Sequence, residues 1–139
     1  MLLNLKIMKL KKGIYYVGDP CYIFNNSWLE VLNATNYFND NEIVTVFKKE
    51  CCAGGTAYGD GSYFDNFNRK YWVDAGLIGV FPISLINKDK KVTRKKIELS
   101  EGMHIIEFTE DFEVSISGGI FKFGDILINT ADDESEDDY

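Results

Sequence analysis

The amino-acid sequence predicts a mainly β protein of the β-rich α+β kind: a single-domain antiparallel barrel or sandwich with one short helix near residues 27–33. Three observations carry that prediction. Short apolar segments alternate with polar residues at period two, as at Phe112, Val114 and Ile116, the pattern of a strand with one buried face. Turn residues punctuate the chain at short intervals: Gly18-Asp19-Pro20, Gly59-Asp60-Gly61 and Ser117-Gly118-Gly119. Only one segment, opening at Ser27, carries a helix signature.

The elements follow in order. Leu3, Leu5 and Ile7 alternate with Asn4 and Lys6 as a half-buried strand, and Lys11-Lys12-Gly13 turns it. Ile14 to Val17 forms the second strand, ended at Gly18-Asp19-Pro20. Pro20 has no N–H for a ladder and holds Asp19 extended, which fixes the carboxylate on a stiff corner. Ser27-Trp28-Leu29-Glu30 matches a capping box. The two-turn helix that follows would turn Trp28, Leu29 and Leu32 inward. Glu42 to Lys49 is expected as a strand that Ala53-Gly54-Gly55 breaks or bulges. Residues 56 to 74 look like a hairpin whose one end is flanked by Asp60 and Asp74, and Leu77 to Phe81 is a buried strand stopped by Pro82. A basic run from Lys88 to Lys96 is expected as a loop. Beyond it come strands at Ile97 and Leu99, Met103 to Phe108 and Phe112 to Ile116. The hairpin turn at Ser117-Gly118-Gly119 then leads to Ile120–Phe123 and, past Gly124-Asp125, to Ile126–Ile128.

Size and charge set bounds on function. A chain of 139 residues suits one domain, here residues 1–130, which buries about two thirds of its unfolded surface. The net charge of -7 is concentrated, since six carboxylates lie between Asp132 and Asp138; the remaining residues carry 16 acidic against 15 basic side chains. Residues 131–139 therefore read as a disordered acidic tail, and a nearly neutral body disfavours nucleic acid as a partner. No apolar run approaches the ~20 residues of a membrane span. Asn4 and Lys6 also interrupt the apolar centre a secretory signal needs, so the expected location is the cytoplasm. Cys21, Cys51 and Cys52 are odd in number, two of them adjacent, and are expected as reduced thiols, with Cys51 and Cys52 closing a buried strand. A single histidine, His104, and the lack of a Cys-x-x-Cys pair leave no structural zinc site; no cofactor is expected.

Candidate functional residues come from the segments that pair glycine with aspartate. Asp19, Asp60 and Asp74, with Tyr22, Tyr63 and Gly76 beside them, could line one polar pocket for a small ligand or a protein partner. The order Gly18-Asp19-Pro20-Cys21-Tyr22, then Trp28, then Gly59-Asp60-Gly61-x-Tyr63, then Val73-Asp74-x-Gly76-x-Ile78-Gly79-x-x-Pro82 resembles a set of small uncharacterised proteins of bacteria and their phages. The resemblance spans roughly residues 14 to 82 and brings no established activity. It implies a phage or mobile-element accessory role, including interference with host defence by holding a host protein or a small nucleotide signal.

The residues themselves predict a non-catalytic binding protein. Two alternatives use the same inventory: a small carboxylate-based hydrolase, metal-dependent or not, and an acidic polyanion mimic that occupies a nucleic-acid-binding partner. A Cys–His nucleophile fits poorly, because Asp19 beside Cys21 would raise the thiol pKa. The rings from Tyr58 to Trp72, interleaved with Arg69 and Lys70, are expected mostly in the core.

Overall fold

Burial separates the strands into two kinds. Some, such as Phe112–Ser117, alternate strictly between buried and exposed; others, such as Gly13–Gly18 and Leu77–Pro82, are apolar nearly throughout. The computed structural model, which describes residues 8–38, 43–86 and 92–131, shows why. The alternating strands have one wet face, and the continuous ones lie in a sheet covered on both sides.

The four-stranded sheet has the order β1 (Met8–Leu10), β9 (Phe112–Ser117), β10 (Ile120–Phe123), β11 (Ile126–Asn129). The five-stranded sheet runs β3 (Ile43–Val46), β4 (Lys49–Gly55), β7 (Leu77–Pro82), β2 (Gly13–Gly18), β8 (His104–Phe108). Every pairing is antiparallel, and the sheets face each other as a sandwich that does not close into a barrel. Between them lies one core, built from Tyr15 and Val17 of β2, Ile78 and Val80 of β7, and Val114, Phe121, Phe123 and Ile128 of the smaller sheet. The opposite face of the larger sheet carries Tyr16, Cys51, Ala53, Leu77 and Phe81. It is covered by α1 (Trp28–Ala34), α2 (Arg94–Glu98) and short 3-10 turns, which contribute Ile23, Phe24, Val31, Phe38, Leu85 and Ile97. A two-stranded ribbon, β5 (Gly61–Phe64) with β6 (Lys70–Val73), forms a separate small sheet that buries Tyr71 and Val73 in the inter-sheet core and pairs Gly61 with Val73, as the expected hairpin requires.

Several expectations are corrected. Glu42 to Lys49 is not one strand: β3 and β4 form a hairpin whose turn residues, Phe47 and Lys48, both adopt left-handed backbone (φ 48° and 66°) with no glycine to mark it. Ala53 and Gly54 do not break the chain but lie within β4, opposite Gly79 and Ile78. Gly79 is required there, because a Cβ on it would stand 2.3 Å from the Cys52 carbonyl oxygen. Ile97 and Leu99 are not a strand. Thr93 caps α2 by accepting the Lys96 amide, and Ile97 is the buried residue of that helix while Leu99 is exposed. The end of the basic run, Arg94 to Lys96, is thus helical, and residues 87–91 lie outside the described residues.

At α1 the Ser27 hydroxyl makes no capping bond, Leu29 is 62% exposed and Val31 is the buried residue. Trp28 stacks on Phe24 at 6.2 Å between ring centroids, on the edge of the helix-side core. Cys51 and Cys52 sit mid-strand rather than at a strand end and point into opposite cores. Both are free, and burial pushes the Cys52 thiol up to about 12 and Cys51 higher still, which keeps them protonated and inert. The predicted N-terminal strand at Leu3–Ile7 and the acidic segment 132–139 lie outside the described residues.

Candidate functional site

The three glycine–aspartate segments do converge, through backbone contacts. β2 ends at Gly18, and Pro20 opens a 3-10 turn (Pro20–Tyr22) capped by Asp19, whose Oδ1 accepts the Cys21 amide at 2.8 Å. Its Oδ2 reaches across to the turn after β6 and accepts the Asp74 and Ala75 amides, each at 2.7 Å. Tyr16, buried in the helix-side core, donates its hydroxyl to the Asp19 carbonyl at 2.7 Å. Tyr22 closes the corner by donating to Asp74 Oδ2 at 2.5 Å. Gly76, in left-handed backbone (φ 70°), accepts the Thr56 amide, and a Cβ placed on it would lie 3.8 Å from the Gly59 Cα. The Gly59 carbonyl in turn accepts the hydroxyls of Thr56 (2.6 Å) and Tyr63 (2.9 Å).

These bonds account for Asp19, Tyr22, Tyr63 and Gly76 as parts of one interlock. Asp74 and Asp60 are exposed. Asp19 is fully buried with no ion-pair partner among the described residues; burial raises its pKa, and the amides it accepts from Ala75, Cys21 and Asp74 pull against that without reversing it. Burial, then the bond to Asp74 and its charge, hold the Tyr22 hydroxyl protonated well above its ordinary range. Among the described residues no three His, Cys, Asp or Glu side chains group as metal ligands.

A second polar centre lies in the tip joining β5 to β6, which the sequence presents only as a turn. Asp65 Oδ1 accepts the Phe67 and Arg69 amides, and Oδ2 accepts the Arg69 Nε–H and the Tyr71 hydroxyl, both at 2.7 Å. Burial opposes its charge, but these bonds outweigh it and hold the carboxyl below its ordinary range. The same tip docks on β11: Asp65 bridges Ile128, and Asn66 exchanges bonds with Leu127 through its amide and its side chain. His104 places Nε2 2.6 Å from the Lys70 carbonyl. An oxygen there can only accept, so Nε2 carries the hydrogen, and burial lowers the ring pKa and favours its neutral form. A spacing of Asp, Arg at i+4 and Tyr at i+6 was the available signal for this centre.

The rings from Tyr58 to Trp72, expected mostly in the core, lie mostly outside it. Tyr71 is buried; Tyr58, Phe64 and Phe67 are exposed, with Arg69 over the Phe67 ring and Lys70 over that of Phe64 at 5.1 and 5.8 Å. Phe67 and Arg69 form one wall of a cleft of about 470 Å³ that opens where the sandwich fails to close, between β8 and β11. Ile106 and Phe108 of β8 and Phe112 and Ile126 of the smaller sheet give it an apolar floor, with Phe108 and Phe112 stacked at 3.8 Å. Glu107, Glu110, Asp111, Glu113 and Asp125 also line it, five carboxylates against the guanidinium of Arg69, which Asp65 already engages; of the five, Asp111 accepts the Lys12 amide and pairs with Lys11 at 3.8 Å. The local sequence offered no motif for this cleft, because its walls come from three separate segments: the ribbon tip, residues 106–113 and residues 124–126. No protein family, curated protein or solved structure matches the chain.

Proposed function

We propose that this is a non-catalytic binding protein whose ligand site is the cleft between β8 and β11, and that its ligand carries a cationic group on an apolar frame. The observation that carries this reading is the cleft's composition: a volume within the range of ligand sites, an aromatic floor and a rim of five carboxylates. Such a site attracts an amine or guanidinium electrostatically and covers the ligand's apolar part. The rival hydrolase reading would recruit Asp19, Asp60 and Asp74. It draws less support, because Asp19 has both oxygens committed to amides and Asp74 accepts from Tyr22. An accessory role in a phage, holding a host protein, is compatible with the same cleft and rests on the sequence resemblance.

Titration of the full-length protein with agmatine, followed by amide chemical shifts, tests the reading. Shifts confined to residues 106–113 and 124–126, and a loss of affinity of at least tenfold in the exposed double variant Glu110→Gln/Glu113→Gln, are expected. Shifts spread over the surface, or none, would overturn it.

A further inference from the structure

β8 ends the five-stranded sheet and pairs with β2 alone. An edge strand normally has its second row of amides and carbonyls covered or charged, because that row is a template for another strand. The other edge on this side of the sandwich is treated that way: Asp65 and Asn66 cover β11. Among the described residues, the outer edge of β8 is hydrogen-bonded only where it begins. There the Trp72 amide donates to the Gly102 carbonyl, the His104 ring meets the Lys70 carbonyl, and Gly102 lies so close to the Trp72 indole that a Cβ would stand 2.0 Å from it. From Ile105 to Phe108 no backbone group outside β2 hydrogen-bonds to the strand among the described residues, and this open stretch borders the cleft.

We infer that the occupant of the cleft is an extended peptide segment of a partner protein, rich in lysine or arginine alternating with apolar residues, which adds as a further strand to the outer edge of β8. The inference rests on the cleft being the binding site and specifies what fills it. Strand addition takes its affinity from the main chain and its selectivity from side chains that alternate between two faces. Here the faces differ in the required way. Ile106 and Phe108 point towards the inter-sheet core and present apolar surface, while Glu107 points outward. The exposed Glu110 and Asp111 follow where the strand ends. Five residues of β8 span about 16 Å, enough for the alternate hydrogen bonds of a short added strand. The carboxylate surplus selects a basic segment over an acidic one.

The blocked hexapeptide acetyl-Arg-Val-Arg-Val-Arg-Val-amide provides the test, with two forms N-methylated on either the valine or the arginine amides, a glutamate-for-arginine counterpart, and agmatine. The expected result is that the parent peptide shifts the amides of residues 105–109, that at least one N-methylated form binds tenfold or more weakly, and that the glutamate peptide does not bind. Charge reversal at the exposed pair, Glu107→Lys/Glu110→Lys, should weaken the parent peptide at least tenfold while leaving the thermal unfolding midpoint unchanged. Equal binding of the parent and both N-methylated forms overturns strand addition but leaves a cation-binding cleft. Failure of agmatine and all peptides alike overturns both readings. Sedimentation showing a dimer that shifts the same 105–109 amides would overturn the partner peptide in favour of a second copy of this chain.

Discussion

Asp19 and Asp65 are both buried aspartates whose two carboxylate oxygens are engaged by hydrogen bonds, yet their environments drive their ionisation in opposite directions. Asp19 receives three backbone amides and, among the described residues, no cation, and burial raises its pKa. Asp65 receives two amides, a tyrosine hydroxyl and the Arg69 guanidinium, and its pKa falls. Dipoles satisfy hydrogen-bonding capacity; a formal countercharge is what settles the cost of burying a carboxylate. The more strongly bonded of the two is therefore the structural keystone, although Asp19 stands in the more conspicuous motif.

The largest effect expected from this comparison is at Asp65. Asp65→Ala removes the acceptor of four donors and leaves Tyr71 and Arg69 without their partner beneath the ribbon tip. It should cost about 3 to 5 kcal/mol in urea denaturation. A loss below about 1 kcal/mol would mean that the tip refolds around another acceptor, and the ranking of the two aspartates would fall.

Asp19→Asn should cost less, about 1 to 3 kcal/mol, because one oxygen remains and the new amide group faces backbone donors it cannot accept. Its pH dependence should also run the other way. The raised pKa of Asp19 means that its titration favours the folded state fully below the unfolded value of about 4, and that this contribution is lost as pH rises through the folded value. For Asp65, with a lowered pKa, the contribution is present above about 4 and is lost as pH falls through the folded value. The stability difference between wild type and Asp19→Asn should shrink as pH rises from about 4, whereas that between wild type and Asp65→Asn should shrink below about 4. Parallel slopes for the two variants would remove the countercharge explanation.

How much of this was legible in the sequence follows from the range of the interactions. The hairpin of β5 and β6 and the turn at Gly118 were readable because their signals are local: turn residues flanked by apolar alternation. The convergence of the segments at Asp19, Asp60 and Asp74 was also anticipated, since the last two bracket one hairpin. The turn at Phe47-Lys48 was not readable, because bulky residues take left-handed backbone there only under tertiary constraint. Nor was α2: its Ile97 is a single buried contact at the end of a basic run, which at sequence level looks like loop followed by strand. The cleft was invisible for a different reason, since it is a gap between two sheet edges and no segment encodes a gap.

The smallest effect, and the one that separates the corner from the cleft as binding sites, is expected at Asp74. Its carboxylate is exposed and accepts a hydrogen bond from Tyr22, which an asparagine oxygen can also accept; its amide, the group that Asp19 holds, is unchanged by substitution. Asp74→Asn should therefore alter stability by less than about 0.5 kcal/mol, the usual range for a surface change. If the cleft is the site, agmatine and the arginine-valine peptide should bind the variant as they bind wild type, because neither Tyr22 nor Asp74 lines it. If instead the charge at the glycine–aspartate corner holds the ligand, together with Asp60, affinity should fall at least tenfold while the fold stays intact. Such a loss would move the binding site from the β8 edge to the corner and leave Asp19 as the residue that positions it.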